Sequence, residues 1–434
     1  MNECKPALKE RSRHDRAVRV ENGPVKWFED MVDHCLDYAE RARREGRPLV
    51  GIMCEFTPRE LILAAGATPV CLCGGSAETI PAAERLLPSN LCPLIKSTLG
   101  YHLLNRNPFL KQAALLVAET TCDGKKKMFE LLAQSKAMYV LELPQKSDDP
   151  QALAHWRAEV GRFHKYLEQY FGVRITPEQL RDSVRKMNRE RRLRRQMSEL
   201  MRSELPPLTG RQLLNMKSLI PCLDDDLAQY EKALTLYGNG AAASGSPRAT
   251  GGATLPVRVL LTGVPIAHGA ERVMDLIEQT GAVVVAQENC TGLKPILEDV
   301  DENADDLLEA IAKKYYHLPC SVMTPNTGRL SSLRVLAKRY RPECVVELVW
   351  QACLTYDVES WRVRRWAEEE ARLPYLKITT DYSPADSGRL RSRLEALIET
   401  VRAARETDQA ASSASLERGS NSGERSEHRS DCMP

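Results

Sequence analysis

Two stretches of the chain alternate short apolar runs with amphipathic ones, and a third, lying between them, is amphipathic throughout. In the first stretch, residues 49–53, 68–73, 113–119 and 138–143 are short runs rich in Val, Leu, Ile and Ala, which predicts strands. Between them apolar residues recur at helical spacing. Trp27, Phe28, Met31, Val32, Cys35, Leu36 and Ala39 predict a helix over 27–44. Thr57-Pro58-Arg59-Glu60 reads as a capping box with Pro at the first helical position, Asn90-Leu91-Cys92-Pro93 opens a further helix, and another covers 125–134. In the last stretch, 257–262, 283–286, 345–349 and 376–379 read as strands, with helices over 270–279, 305–316, 330–339 and 388–404. Strands alternating with helices predict parallel sheets. The expected architecture is α/β, with two Rossmann-like (flavodoxin-like) parallel-sheet domains, a helical segment between them and a disordered C-terminal tail.

Changes in composition set the boundaries. Residues 1–24 are charged and unpatterned, and are expected to be disordered. The first α/β domain spans 25–149. Residues 150–237 carry no strand signal and have capped helix starts near Pro150, at Thr176-Pro177-Glu178-Gln179 and near Thr209. Residues 238–254 are small, polar and Gly-rich, as a flexible linker would be. The second α/β domain spans 255–405, and the Ser-, Glu- and Arg-rich tail 406–434 is expected to be disordered.

The overall charge narrows the function classes. Lys and Arg total 61 against 59 Asp and Glu, a net charge of +2 over 434 residues, so nothing favours nucleic acid or an anionic membrane as the partner. No apolar run approaches the ~20 residues that span a bilayer. The first residues lack the apolar core of a secretory signal, so a cytoplasmic location is expected.

Cysteine is the unusual residue. There are 13, an odd number, and in a reducing compartment a disulfide framework is not expected. They are buried filler, metal ligands, or both. Six share one kind of position. Cys54 ends the first predicted strand, Cys92 precedes Pro93 at a helix start, and Cys122 follows the third strand; Cys290, Cys320 and Cys353 lie at strand ends or loops of the second half. In open parallel sheets ligands bind at the carboxyl ends of strands, where helix N-termini favour thiolates and anionic cofactors. Each half can thus aim three thiolates at one crevice. The spacings of 38, 30, 30 and 33 residues, with no CxxC or CxxH, argue against a zinc ribbon or a ferredoxin-type loop. Cys71, Cys73, Cys35, Cys222 and Cys344 read as packing residues, with Cys35 and Cys222 in helical segments.

Other residues invite a functional reading beside a plainer one. The basic run 185–195 reads as the solvated face of a helix, with Leu193 and Met197 turned inward. Lys125, Lys126 and Lys127 oppose the dipole of the helix they begin, so they are either simply exposed or matched to something anionic near Cys122. His317 and His268 lie in strand-end loops and read as structural, with proton donation as the alternative. Glu55, Glu119 and Glu288, close to candidate ligands, read as capping or surface groups.

The segments VGIMCEFTPRELILAAGATPVCLCGGS, LPSNLCPLIKSTLGY, AETTCDGKKKMFELL, QENCTGLKP, AKKYYHLPCSVMTPNTGR, VVELVWQACLTYDVE and LKITTDYS occur in the order found in the 2-hydroxyacyl-CoA dehydratase and benzoyl-CoA reductase superfamily. The chain resembles that superfamily over about 25–405, and within it the double-cubane cluster proteins. The resemblance implies a homodimer whose subunits each hold two [4Fe-4S] cubanes bridged by sulfide. Cys54, Cys92 and Cys122 match one ligand set, and Cys290, Cys320 and Cys353 the other. It also implies a separate homodimeric iron–sulfur ATPase that injects the electron, and ATP-dependent reduction of a small molecule. The chain has no GxxxxGK[ST] of its own. A dehydratase or benzoyl-CoA-type reductase component, with a single [4Fe-4S] cluster and an acyl-CoA thioester as substrate, is the alternative. A non-enzymatic binding or assembly protein is the alternative of another class.

Overall fold

A computed structural model describes residues 23–243 and 255–423. All eight predicted strands form. Leu49–Ile52 (β1), Thr68–Cys71 (β2), Leu115–Glu119 (β3) and Met138–Leu141 (β4) make one four-stranded sheet in the order β2-β1-β3-β4. Val257–Gly263 (β5), Ala282–Glu288 (β6), Cys344–Trp350 (β7) and Tyr375–Thr380 (β8) make a second, in the equivalent order β6-β5-β7-β8. Every pairing is parallel. The inner strands β1, β3, β5 and β7 are buried along their whole length. The outer strands β4 and β8 are partly exposed. This is the α/β architecture with two parallel sheets that the alternation of patterns predicts.

Helices and no strand occupy the stretch from Pro150 to Gly238, with Pro150–Phe171 and Pro177–Glu199 the longest. Thr176 with Gln179 and Thr209 with Gln212 form complete capping boxes. The box expected at Thr57 and Glu60 does not form. The Thr57 hydroxyl donates to the Glu119 carboxylate instead, and Glu60 accepts from Arg191 and, at 2.8 Å, from the Tyr315 hydroxyl. Buried charges outcompete the helix N-terminus for both side chains. The same contact corrects the basic run: Leu193 and Met197 do point inward, but so does Arg191, which is 2% exposed.

Other differences are local. The helix expected over 27–44 breaks at Asp30 into Pro24–Glu29 and Met31–Arg44. Cys222 is buried in a turn at φ +62°, not in a helix, and its N–H is held by Glu190. The last helix runs Ser387–Gly423. Residues 1–22 of the expected N-terminal segment, 244–254 of the expected linker and 424–434 of the expected tail lie outside the described residues. Among the described residues no helix is long and apolar enough to cross a membrane.

A buried pair ties the N-terminal helices to the helical stretch. Asp226 Oδ1 lies 3.2 Å from His34 Nε2 and 2.8 Å from Trp27 Nε1, with the His34 and Trp27 rings stacked at 4.5 Å. Burial opposes protonation of His34, but Asp226, helped by Cys35, outweighs it and raises the pKa from 6.5 to about 9. A raised folded-state value stabilises the fold fully below pH 6.5, and that contribution is lost as the pH rises through 9. Unfolding followed by circular dichroism should therefore show a loss of a few kcal/mol between these limits, on the order of 1.4 kcal/mol for each pH unit that separates them. A His34→Gln variant should lack that part of the slope; an unchanged slope would contradict the assignment.

Candidate functional site

Chain reversals at the carboxyl ends of the strands place the six cysteines. Cys54 lies just beyond β1, and Cys290 just beyond β6. Cys92, Cys122 and Cys353 are the N-cap residues of Pro93–Leu103, Asp123–Ala133 and Leu354–Arg365. Cys320 lies in the loop between Leu307–Tyr316 and Thr327–Tyr340. The internal repeat relates Cys92 to Cys320, each between the second and third strands of its half, and Cys122 to Cys353, each after the third. Cys54 and Cys290 break it, since one follows the first strand of its half and the other the second.

All six line one cavity of about 550 Å³. Groups of the two halves meet there: Cys353 lies beside Cys92, which lowers the Cys92 thiol while raising that of Cys353. Burial pushes Cys54 and Cys122 up, and Cys290 to about 12. Without a compensating charge these groups are thiols; a bound metal group would have to displace their protons. Among the described residues no group of three or more His, Cys, Asp or Glu side chains converges as a single metal ion requires.

Cations supply compensating charge. The Lys125 Nζ donates to the Met53 carbonyl at 2.9 Å. Burial lowers its pKa, but Cys54, Cys73, Cys122 and Glu119 outweigh this and raise it. Lys125 is the half-buried member of its run; Lys126 also lines the cavity but is exposed and pairs with Asp123, and Lys127 pairs at the surface with Glu130. Lys217, from the loop after Gly210–Asn215, donates to the Cys290 carbonyl at 2.9 Å and pairs with Glu55. Arg59 lies 2.6 Å from the other Glu55 oxygen.

The three glutamates are neither caps nor surface groups. Glu55 is buried, yet Arg59 and Lys217 hold it well below the usual carboxylate range. Glu119 is fully buried, and burial raises it to about 7. Glu288 ends β6 and is fully buried, 3.0 Å from Lys294 and 3.2 Å from Arg329. His268 stands half-exposed at the cavity rim, 3.4 Å from Glu271. His317 is not brought there: it lines a separate groove beside Leu318 and Arg339.

Several lining residues escape a reading of local pattern. Cys71 and Cys73 face the same cavity rather than only packing. Nothing in the sequence singles out Arg59 and Lys217, and Lys217 lies outside both α/β patterns. Apolar side chains complete the lining, among them Met31, Leu91, Ile95, Leu214, Val264 and Ile266. At one edge the halves meet backbone to backbone: a Cβ on Gly75 would sit 2.2 Å from the His268 carbonyl oxygen, so only glycine allows that approach.

The family model described as 2-hydroxyglutaryl-CoA dehydratase, D-component, matches residues 54–401. The chain is 39% identical to YjiM of Escherichia coli strain K12, assigned provisionally as a dehydratase subunit, over 83% of this chain and 93% of that protein. It is 22% identical to the (R)-phenyllactyl-CoA dehydratase beta subunit of Clostridium sporogenes over 86% of this chain and 97% of the relative. It is 26% identical to a benzoyl-CoA reductase subunit from Thauera aromatica over 38% of this chain and 45% of the relative.

Proposed function

Because the chain belongs to the 2-hydroxyglutaryl-CoA dehydratase D-component family, we propose that it is an iron–sulfur subunit of a dehydratase or benzoyl-CoA-type reductase acting on an acyl-CoA thioester. The observation that carries this reading is the single cavity lined by Cys54, Cys92, Cys122, Cys290, Cys320 and Cys353. Soft thiolates select iron–sulfur groups, and six of them around one cavity fit such a group. When bound, an iron–sulfur cluster supplies single electrons at low potential.

The chain's own residues do the rest. Lys125, Lys217 and Arg59 offset negative charge on the thiolates and their contents. The apolar wall around Leu91, Ile95 and Ile266 excludes water and gives an acyl group a surface to pack on. His268 beside Glu271 is the ionisable pair at the rim. Leu354, Val358 and Trp361 form a row 71%, 77% and 64% exposed on the helix that Cys353 caps. Such an apolar row supports assembly with a partner component.

A second reading is favoured by six thiols of one chain facing one cavity. In it the chain holds two [4Fe-4S] cubanes bridged by sulfide, works as a homodimer, and reduces a small molecule without CoA after electron transfer from a separate homodimeric iron–sulfur ATPase. Turnover of a 2-hydroxyacyl-CoA and of its CoA-free acid, assayed with such an ATPase, ATP and a strong reductant, separates the two. The first reading expects product from the thioester alone. Reduction of CoA-free small molecules with no thioester turnover would overturn it in favour of the second.

A further inference from the structure

Thr121 is 5% exposed and lines the cysteine cavity, yet its hydroxyl has no hydrogen-bond partner. The backbone around it is fixed. Its N–H donates to the Glu119 carbonyl at 2.7 Å, and its carbonyl accepts from the Gln145 side chain at 2.6 Å. The preceding Thr120 hydroxyl accepts from the Leu143 N–H at 2.9 Å. One threonine thus closes the loop to β4, while the next holds a buried, unpaired hydroxyl beside Cys122. A buried hydroxyl without a partner is costly, and valine would fill the same volume without that cost. The position therefore points to an acceptor that arrives with whatever occupies the cavity.

We infer that the Thr121 hydroxyl donates a hydrogen bond to a sulfur of the group held by the six cysteines and so stabilises its reduced, more negative state. Hydrogen bonds to cluster sulfurs raise the reduction potential, and groups surrounding the ligands tune a metal site as much as the ligands do. The inference rests on the iron–sulfur reading above.

The test compares wild type, Thr121→Val and Thr121→Ser as full-length proteins purified anaerobically. Iron content and the midpoint potential, from an EPR-monitored reductive titration, are the readouts. Wild type and Thr121→Ser should agree. Thr121→Val should load the same iron but titrate at a more negative potential. An unmoved potential in iron-loaded Thr121→Val overturns the inference, as does an equal change in both variants, which would make side-chain shape the cause. Wild type without iron would instead overturn the reading on which the inference rests.

Discussion

Changing Cys54, Cys92, Cys122, Cys290, Cys320 or Cys353 singly to Ala is expected to lower the iron content of the anaerobically purified protein wherever the lost thiol is a cluster ligand: at up to four of the six positions if the chain holds a single cubane, and at all six if it holds two. Each contributes a thiol to the same cavity wall, and a cluster that loses a thiolate loses a strong ligand. The control is Cys344, buried within β7 and not part of that wall. Cys344→Ala should cost stability on the order of 1 kcal/mol through lost packing, and leave iron unchanged. Cys71 and Cys73 lie between these cases, since both line the cavity. Iron analysis with an acid-labile sulfide assay reads all of them: loss in all six variants fits two cubanes, full iron in two or three of them fits a single cubane, and full iron in all six would contradict the ligand assignment.

Arg329→Ala should be the most destabilising single change outside the cavity. Its guanidinium is fully buried and contacts Glu288 at 3.2 Å, Glu347 at 2.9 Å and Glu359 at 2.7 Å, with a further bond to the Thr262 hydroxyl at 3.0 Å. Removing the cation leaves buried carboxylates facing one another. Breaking a buried pair in this way costs about 3–5 kcal/mol, and here Lys294 is left as the cation beside Glu288, with the Thr262 hydroxyl its other donor. The loss should appear as a lower denaturation midpoint; a change below about 1 kcal/mol would mean that water or another cation compensates.

Sequence pattern alone locates all eight strands, because a short apolar run between helical periods has few other readings. It also picks out six of the eight cysteines that line the one cavity, since each stands at a strand end, a helix start or, for Cys320, in a loop; Cys71 and Cys73, read as packing residues, are missed. The contacts among the six are another matter. Cys92 meets Cys353 across the two halves, a consequence of how the sheets face each other that no local pattern encodes. Lys217 enters from the loop after Gly210–Asn215, far in sequence from the cysteines it serves.

The glutamates do carry a local signal, but one that points to burial and not to a cap or the surface. Glu119, Glu288 and Glu347 end or interrupt strands made mostly of Val, Leu and Ala, and a charge embedded in such a run is buried with its strand. The polar ends of buried strands are where partners must be supplied, here by Thr57, Thr262 and Arg329. Thr57 illustrates the converse. Its TPRE pattern is a correct helix-start signal, but the side chain serves the buried carboxylate instead of the cap.

Whether the six-cysteine cavity holds an iron–sulfur group is decided by iron and acid-labile sulfide per chain, measured on the anaerobically purified wild type. Stoichiometric iron and sulfide are predicted, amounting to a single cubane per chain in the dehydratase reading and two in the double-cubane reading. A protein free of both iron and sulfide after strictly anaerobic isolation and reconstitution would contradict both readings.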